Sequence, residues 1–320
     1  MSKRHKRISA ALIVIFSALA ISQSASGETL FATSINTGDI YSVDTVTQTV
    51  TPVFNTGAQL DSLFFDPNGR IVYSQLNNSA VKAYNPNTSS NVTLATGLTA
   101  PIDMVLEPSL TSFLVSDSTS HLVRISLSGS GVINSLNVGK RPDGVVYDPS
   151  GNLFVNLSSG FPNNNSTVAQ INPTTGAVLR QTANTGVFLD GLTFDTFTGK
   201  LFASDYNNGR IVQIDPTTLA FTFLTPTGSP LSQPDGITSD GNGKLFIASR
   251  NNADVIQYDI GTNADTIVGK ISGLDDLAPA SGLGAKSPEP SSLIMAGIGA
   301  CALLGYQFRK TRRVDLEMPR

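Results

Sequence analysis

Apolar residues recur along this chain in short alternating runs, with no helical period. One run reads apolar–X–X–apolar and closes on an Asx or Ser: IYSVD at Asp44, VKAYN at Asn85, LVRIS at Ser126, VAQIN at Asn172, IVQID at Asp215 and VIQYD at Asp259. The copies lie 41, 41, 46, 43 and 44 residues apart. Pro often follows the Asx, and a second β-like run comes next. Each copy predicts two strands joined by a tight turn, with the Asx side chain accepting hydrogen bonds from nearby backbone N–H groups.

A second element precedes the first by about 25 residues. It opens on Asp61, Asp103, Asp143, Asp190, Asp235 and Asp276, continues as a short apolar strand, and usually ends in a turn of the D-P-x-G or D-G-x-G kind. A third element follows, as in IVYS, SFLVSD, LFVN, LFASD and LFIAS, with LFATS near the start of the array. Each unit then holds four strands in roughly 43 residues, the size of one propeller blade.

The array's ends complement each other. Residues 29–57 hold three strands with no aspartate-led strand before them, and residues 275–284 hold that strand alone. Five whole blades (58–98, 99–140, 141–186, 187–230, 231–274) and one composite blade predict an all-β, six-bladed β-propeller over 28–285, closed by pairing of its N- and C-terminal strands. A linear solenoid is the rival, but it would carry capping repeats in place of complementary fragments.

Outside the array the pattern changes. KRHKR at 3–7 precedes the apolar run Ile8–Ile21 and the small residues SQSASGE. A basic head, a short apolar stretch and small residues predict a signal peptide over 1–26, cleaved near Ser26. At the other end, a tail over 286–320 carries an apolar segment at 291–308, followed by Arg309, Lys310, Arg312 and Arg313. That segment is just long enough to span a bilayer, with its cations cytoplasmic. Pro288-Glu289-Pro290, two serines, the apolar span and the basic stop resemble a PEP-CTERM sorting signal; the extra VDLEMPR departs from it. The resemblance implies an exosortase-type membrane peptidase as partner. It also implies a bacterium that makes extracellular polysaccharide, and a body held only transiently at the membrane before reaching the cell envelope or exterior.

Charge sharpens this picture. The whole chain carries a net −3, but Gly27 to Pro288 holds 21 acidic and 12 basic residues. An acidic body offers no electrostatic footprint for nucleic acid. Gly 28 and Pro 17 fit a turn-rich β fold, and the single Cys301 excludes a disulfide framework or a cysteine zinc site.

The blades lack Trp-Asp and Gly-His dipeptides. The D-G-apolar strand, the G-x-L-apolar strand and NNGRIVQID are similar to the NHL-repeat, gluconolactonase and virginiamycin-lyase-like propellers. If the aspartate-led strands line the channel, Asp61, Asp103, Asp143, Asp190, Asp235 and Asp276 form a ring at one height. Six carboxylates raise one another's pKa values, and a hard cation such as Ca²⁺ or another divalent ion would relieve them. The gluconolactonase resemblance implies a metal-ligand role for Asp143 and Asp235, which stand in P-D-G, and next for Asp190. The other reading has each Asp bonding backbone N–H groups at its turn.

Enzyme signals are thin. The gluconolactonase pattern also implies a channel Glu, and the body holds only Glu28 and Glu107. His121 is the only histidine after the signal region, whereas virginiamycin-type lyases use channel histidines. Asp117 and Asp205 end strands, with Arg124 and Arg210 following as expected ion-pair partners. The stretch 158–167, SSGFPNNNST, lengthens its blade and reads as a solvated insertion or a ligand-contacting loop. The expectation is a binding or scaffold module, with a polysaccharide or surface protein as partner; the alternative is a metal-dependent, lactonase-like hydrolase.

Overall fold

The computed structural model describes residues 28–161 and 163–279, and these are all β apart from one short 3₁₀ turn at Arg250–Asn252. Blade one holds β1 (Thr29–Ser34), β2 (Asp39–Asp44) and β3 (Thr49–Asn55). Blade two holds β4 (Leu60–Phe65), β5 (Ile71–Gln75), β6 (Ala80–Asn85) and β7 (Ser90–Thr96). Blade three holds β8 (Pro101–Leu106), β9 (Ser112–Asp117), β10 (His121–Ser126) and β11 (Val132–Asn137). Blade four holds β12 (Arg141–Tyr147), β13 (Leu153–Ser158), β14 (Thr167–Ile171) and β15 (Val178–Gln181). Blade five holds β16 (Leu189–Asp195), β17 (Lys200–Asp205), β18 (Arg210–Ile214) and β19 (Phe221–Leu224). Blade six holds β20 (Pro234–Ser239), β21 (Lys244–Ser249), β22 (Asp254–Asp259) and β23 (Asp265–Lys270). The last strand, β24 (Leu274–Pro279), returns to blade one.

All six sheets are antiparallel and four-stranded, and blade one has the order β24-β1-β2-β3. Leu30 pairs with Pro279, Ala32 with Leu277 and Ser34 with Leu274. The fold is the expected six-bladed propeller closed by its two ends. The inner strands follow one another in a circle, β24–β4–β8–β12–β16–β20 and back to β24. The cores lie between neighbouring blades. Leu30, Ala32 and Val43 of blade one share a buried cluster with Phe246, Ala248 and Val255 of blade six. Closure therefore buries apolar surface as well as pairing the strand edges that a linear array would expose.

The turns form as their sequences require. Asp44 accepts from the N–H groups of Val46 and Thr47, Asn172 from Thr174 and Thr175, and Asp215 from Thr217 and Thr218. In the D-P-x-G turns, Asp66 accepts from Asn68 and Arg70, and Asp148 from Ser150 and Asn152. The expected signal peptide, the sorting motif and the apolar segment at 291–308 lie outside the described residues. Among the described residues, no helix is long and apolar enough to cross a membrane.

Candidate functional site

Every inner strand carries a bulge near its start. Leu60 pairs with Gln75 and Leu63 with Tyr73, so Asp61 and Ser62 together face only Ser74. The same shift falls after Pro101, Pro142, Leu189, Pro234 and Leu274. Each bulge turns one extra residue toward the hub. In three of the blades the side chain opposite the bulge staples one blade to the next. Thr33 Oγ1 donates to the Asp61 carbonyl at 2.6 Å, Ser116 Oγ to that of Asp143 at 2.5 Å, and Asn156 Nδ2 to that of Asp190 at 2.5 Å.

The shared register corrects the expected ring. Position one of the bulge holds Asp61, Ile102, Asp143, Asp190, Asp235 and Asp275. Position two holds Ser62, Asp103, Gly144, Gly191, Gly236 and Asp276. Asp103 and Asp276 thus sit one residue deeper than the other four expected members, and Asp275 takes the place given to Asp276. The three glycines are there because the next blade leaves no room. A Cβ on Gly144 would lie 2.5 Å from the Leu192 nitrogen, and one on Gly191 2.8 Å from the Asp235 carbonyl oxygen.

The deeper aspartates are fastened. Asp103 accepts from the N–H of Met104 at 2.7 Å, from that of Val145 in the next blade at 2.8 Å, and from Ser62 Oγ at 3.1 Å. Asp276 accepts from the N–H of Leu277 at 2.7 Å. Burial pushes the Asp103 carboxyl up to about 6 even so, and burial and the Asp103 charge push Asp276 well above the carboxylate range.

At the upper mouth, where the inner strands begin, five carboxylates meet two guanidinium groups. Arg141 lies 3.0 Å from Asp143, which also accepts from Ser158 Oγ at 3.0 Å. Arg250 Nη1 donates to Asp235 at 2.8 Å and lies 3.1 Å from Asp275. Asp143 and Asp275 are almost wholly buried. Asp61 and Asp190 are half-buried, and neither carboxylate receives a hydrogen bond or an ion pair from any described residue. They belong to blades two and five, which face each other across the hub.

Burial is the largest cause of the mouth's unusual acidity. It raises Asp143 to about 6 against the pull of Arg141. Asp61 and Asp190 rise well above the usual range through burial and then through their acidic neighbours, Asp275 and Asp235 foremost. Asp275 behaves likewise, and Asp235 is raised less because Arg250 opposes its burial. Among the described residues, no three or more His, Cys, Asp or Glu side chains converge where a metal ion could be held. Asp143 and Asp235, the aspartates favoured by resemblance, pair with Arg141 and Arg250.

One wall of the mouth is aromatic. Phe161, from the insertion between β13 and β14, meets Phe188 at 5.3 Å and Tyr206 at 5.4 Å, both edge-on. Phe161 is 54% exposed, whereas Tyr206 is 8% exposed. Tyr206 is close enough to Arg250, Asp235, Asp190 and Asp275 to feel their charges. Phe161 belongs to the insertion that the sequence offers as a solvated or ligand-contacting loop, whereas Phe188, Tyr206 and Arg250 were not expected in the site. Phe188 and Tyr206 flank L-D-G and ASD, and Arg250 follows IAS, so each adjoins a repeat signal at the same mouth.

The remaining candidates lie elsewhere. Arg210 pairs with Asp205 at 2.8 Å as expected and stacks over Phe223 at 4.0 Å. Arg124 does not pair with Asp117. It binds Glu107 through Nε and Nη2 at 2.9–3.0 Å, reaching across β9 to the end of β8 on the same face of the blade, and it donates to the Pro173 carbonyl of blade four. Asp117 accepts from the Thr99 N–H and stands across the strand pair from His121. Glu107 is buried at the lower end of the hub, and Glu28 adjoins Asp240 and Lys244, also at the lower face. A cavity of about 500 Å³ opens there, lined by Leu63, Met104, Leu192, Ile237 and Leu277, with Asp103 and Asp276 at its inner end. It is largely apolar and faces away from the acidic mouth.

A closed six-bladed propeller with a polar upper mouth defines the class. Residues 114–276 match the family described as a repeat of unknown function (DUF6923), about half of the chain, and the chain belongs to that family. No curated protein matches the sequence. Among solved structures, the chain is similar to one in a nidogen/laminin complex, with TM-score 0.69, 19% identity, and 79% of this chain and 98% of that one covered. It is similar to virginiamycin B lyase of Staphylococcus aureus, in a catalytically inactive form with quinupristin (TM-score 0.52, 15% identity, 65% and 69% covered). A protein of unknown function from Bacteroides caccae gives TM-score 0.58 at 14% identity, with 79% and 99% covered. At these identities the likenesses establish the propeller alone.

Proposed function

We propose that this is an exported binding module of the cell surface or exopolysaccharide matrix, and that its ligand enters the upper mouth. The observation that carries the reading is the pair of unpartnered carboxylates, Asp61 and Asp190, set among Arg141, Arg250 and an aromatic wall. Folding alone gives no reason to gather and bury like charges, since their repulsion and desolvation weaken the native state. Such a concentration of perturbed acids at one mouth marks a functional site. The propeller fold fits a binding or scaffold role. The lactonase-like alternative gains no support here, because neither Glu28 nor Glu107 lies in the upper mouth.

Export rests on the two terminal signals. Fractionation of the producing cell, with mass spectrometry of the mature protein, tests it. The expected species begins near residue 27 and lacks the Arg-rich end; an intact tail on the cell-associated protein contradicts processing. Binding is tested by retention of the purified full-length protein on the cell's own exopolysaccharide. The wild type is expected to be retained and Asp61→Asn/Asp190→Asn to be lost; equal behaviour of the two removes the mouth as the site.

A further inference from the structure

Resting on the reading that the upper mouth binds a ligand, we propose that the ligand is a polysaccharide with free amino groups, whose ammonium groups are taken up by Asp61 and Asp190. Three features at that mouth lead to this chemistry.

The first is charge. The five first-position aspartates outnumber Arg141 and Arg250, and the two arginines are taken up by Asp143, Asp235 and Asp275. What remains unmatched is Asp61 and Asp190, on opposite blades. A divalent cation needs six or more oxygens drawn into one shell, and among the described residues no three His, Cys, Asp or Glu side chains converge here. An ammonium carries a single charge and three donors, so one unpaired carboxylate with a neighbouring acceptor suffices for it.

The second is Tyr206. It is about nine-tenths buried, yet its hydroxyl makes no hydrogen bond to any described residue, and its surroundings are the Arg250 and aspartate charges of the mouth. Its ring is buried, but its hydroxyl is not shut away from solvent and stands open to an incoming group. A sugar hydroxyl beside the amine suits that position.

The third is Phe161, half exposed and held upright by Phe188 and Tyr206 in a loop of three consecutive asparagines. An exposed ring suits a pyranose, whose C–H face lies on it. A lysine peptide would use the carboxylates but gain little from this wall.

Calorimetric titration of the purified full-length protein with a glucosamine tetrasaccharide, and with its fully N-acetylated counterpart, tests the proposal. The free-amine oligomer is expected to bind. The acetylated one, which lacks the charge, should bind at least about tenfold more weakly, the scale of losing a charge-assisted hydrogen bond. Asp61→Asn/Asp190→Asn should weaken the free-amine oligomer by a similar factor, and Tyr206→Phe by less. An unchanged melting temperature, or a higher one from relieved repulsion, shows that the double variant is folded. Equal binding of the two oligomers overturns the proposal, and so does tighter, Asp61-dependent binding of tetralysine, which would make the ligand a protein. If only the neutral oligomer binds and the double variant loses it, the amine inference fails while the mouth remains the site. If the double variant binds every probe as the wild type does, the binding-site reading fails as well. Calcium binding that depends on Asp61 and excludes the free-amine oligomer overturns the proposal in favour of a metal.

Discussion

Gly144 separates the paired Asp143 from the hydrogen-bonded Val145, and it shows how tightly the hub is built. The next blade's backbone lies where its Cβ would go, 2.5 Å from the Leu192 nitrogen and 2.6 Å from the Asp190 carbonyl oxygen. Backbone on both sides cannot yield as a side-chain tip would. Gly144→Ala should therefore cost about 1–3 kcal/mol, the range for overpacking a filled interior, read as a shift in the urea midpoint with unchanged slope. Gly69 makes the contrast, since nothing lies within 4 Å of its missing Cβ. Its φ of +73° is the reason for glycine there. Arg124 gives a second test. Burial would raise Glu107, but hydrogen bonds from Arg124 and Ser112 outweigh it and hold the carboxyl below its usual range. Arg124→Ala leaves that carboxylate buried without a counter-charge and should lose about 3 kcal/mol. Adding Glu107→Gln should restore part of the loss. A single variant as stable as wild type would mean that the pair contributes nothing.

At the scale of strands and blades, the 43-residue period was legible because each element repeats its own signal: an Asx turn, an aspartate-led strand, a Gly or Pro turn. The boundaries read from it enclose β4 through β23 blade by blade, and the incomplete ends do zip together. The height of each aspartate was not legible, because counting from Asp to Asp ignores the bulge. Pro101, Pro142 and Pro234 with Leu60, Leu189 and Leu274 are the true anchors, and from them Ile102 and Asp275 fall into line with Asp61. The pairing of Arg124 with Glu107 depends on which strands adjoin, information that lies outside either local motif. Closure makes its own prediction. Residues 28–279, permuted by linking Pro279 to Glu28 and reopened in the exposed turn at 128–131, should fold with circular dichroism and cooperativity like the parent. Ending the chain after Gly273 removes β24, uncovers Leu30 and Ala32, and should yield an aggregating product. A soluble, cooperative truncated form would contradict closure as the stabilising event.

For the whole molecule, the governing feature is charge. Carboxylates from all six inner strands lie round one hub, with Arg141 and Arg250 as their basic neighbours and Tyr206 at the rim. Their folded pKa values are raised: about 6 for Asp103 and Asp143, above the ordinary range for Asp235, and well above it for Asp61, Asp190, Asp275 and Asp276. The native state thus binds more protons than the unfolded chain between about pH 4 and the folded values. Stability must fall as pH rises through that window. Glu107, with its lowered pKa, contributes in the opposite sense, and only at acid pH as it protonates. The most direct measurement is the melting temperature of ligand-free protein at pH 5 and pH 8, for wild type and for Asp61→Asn/Asp190→Asn. The wild type should melt several degrees lower at pH 8, and the double variant should lose much of that difference while melting higher than wild type at pH 8. Identical pH responses in the two proteins would contradict a mouth of buried, mutually repelling carboxylates.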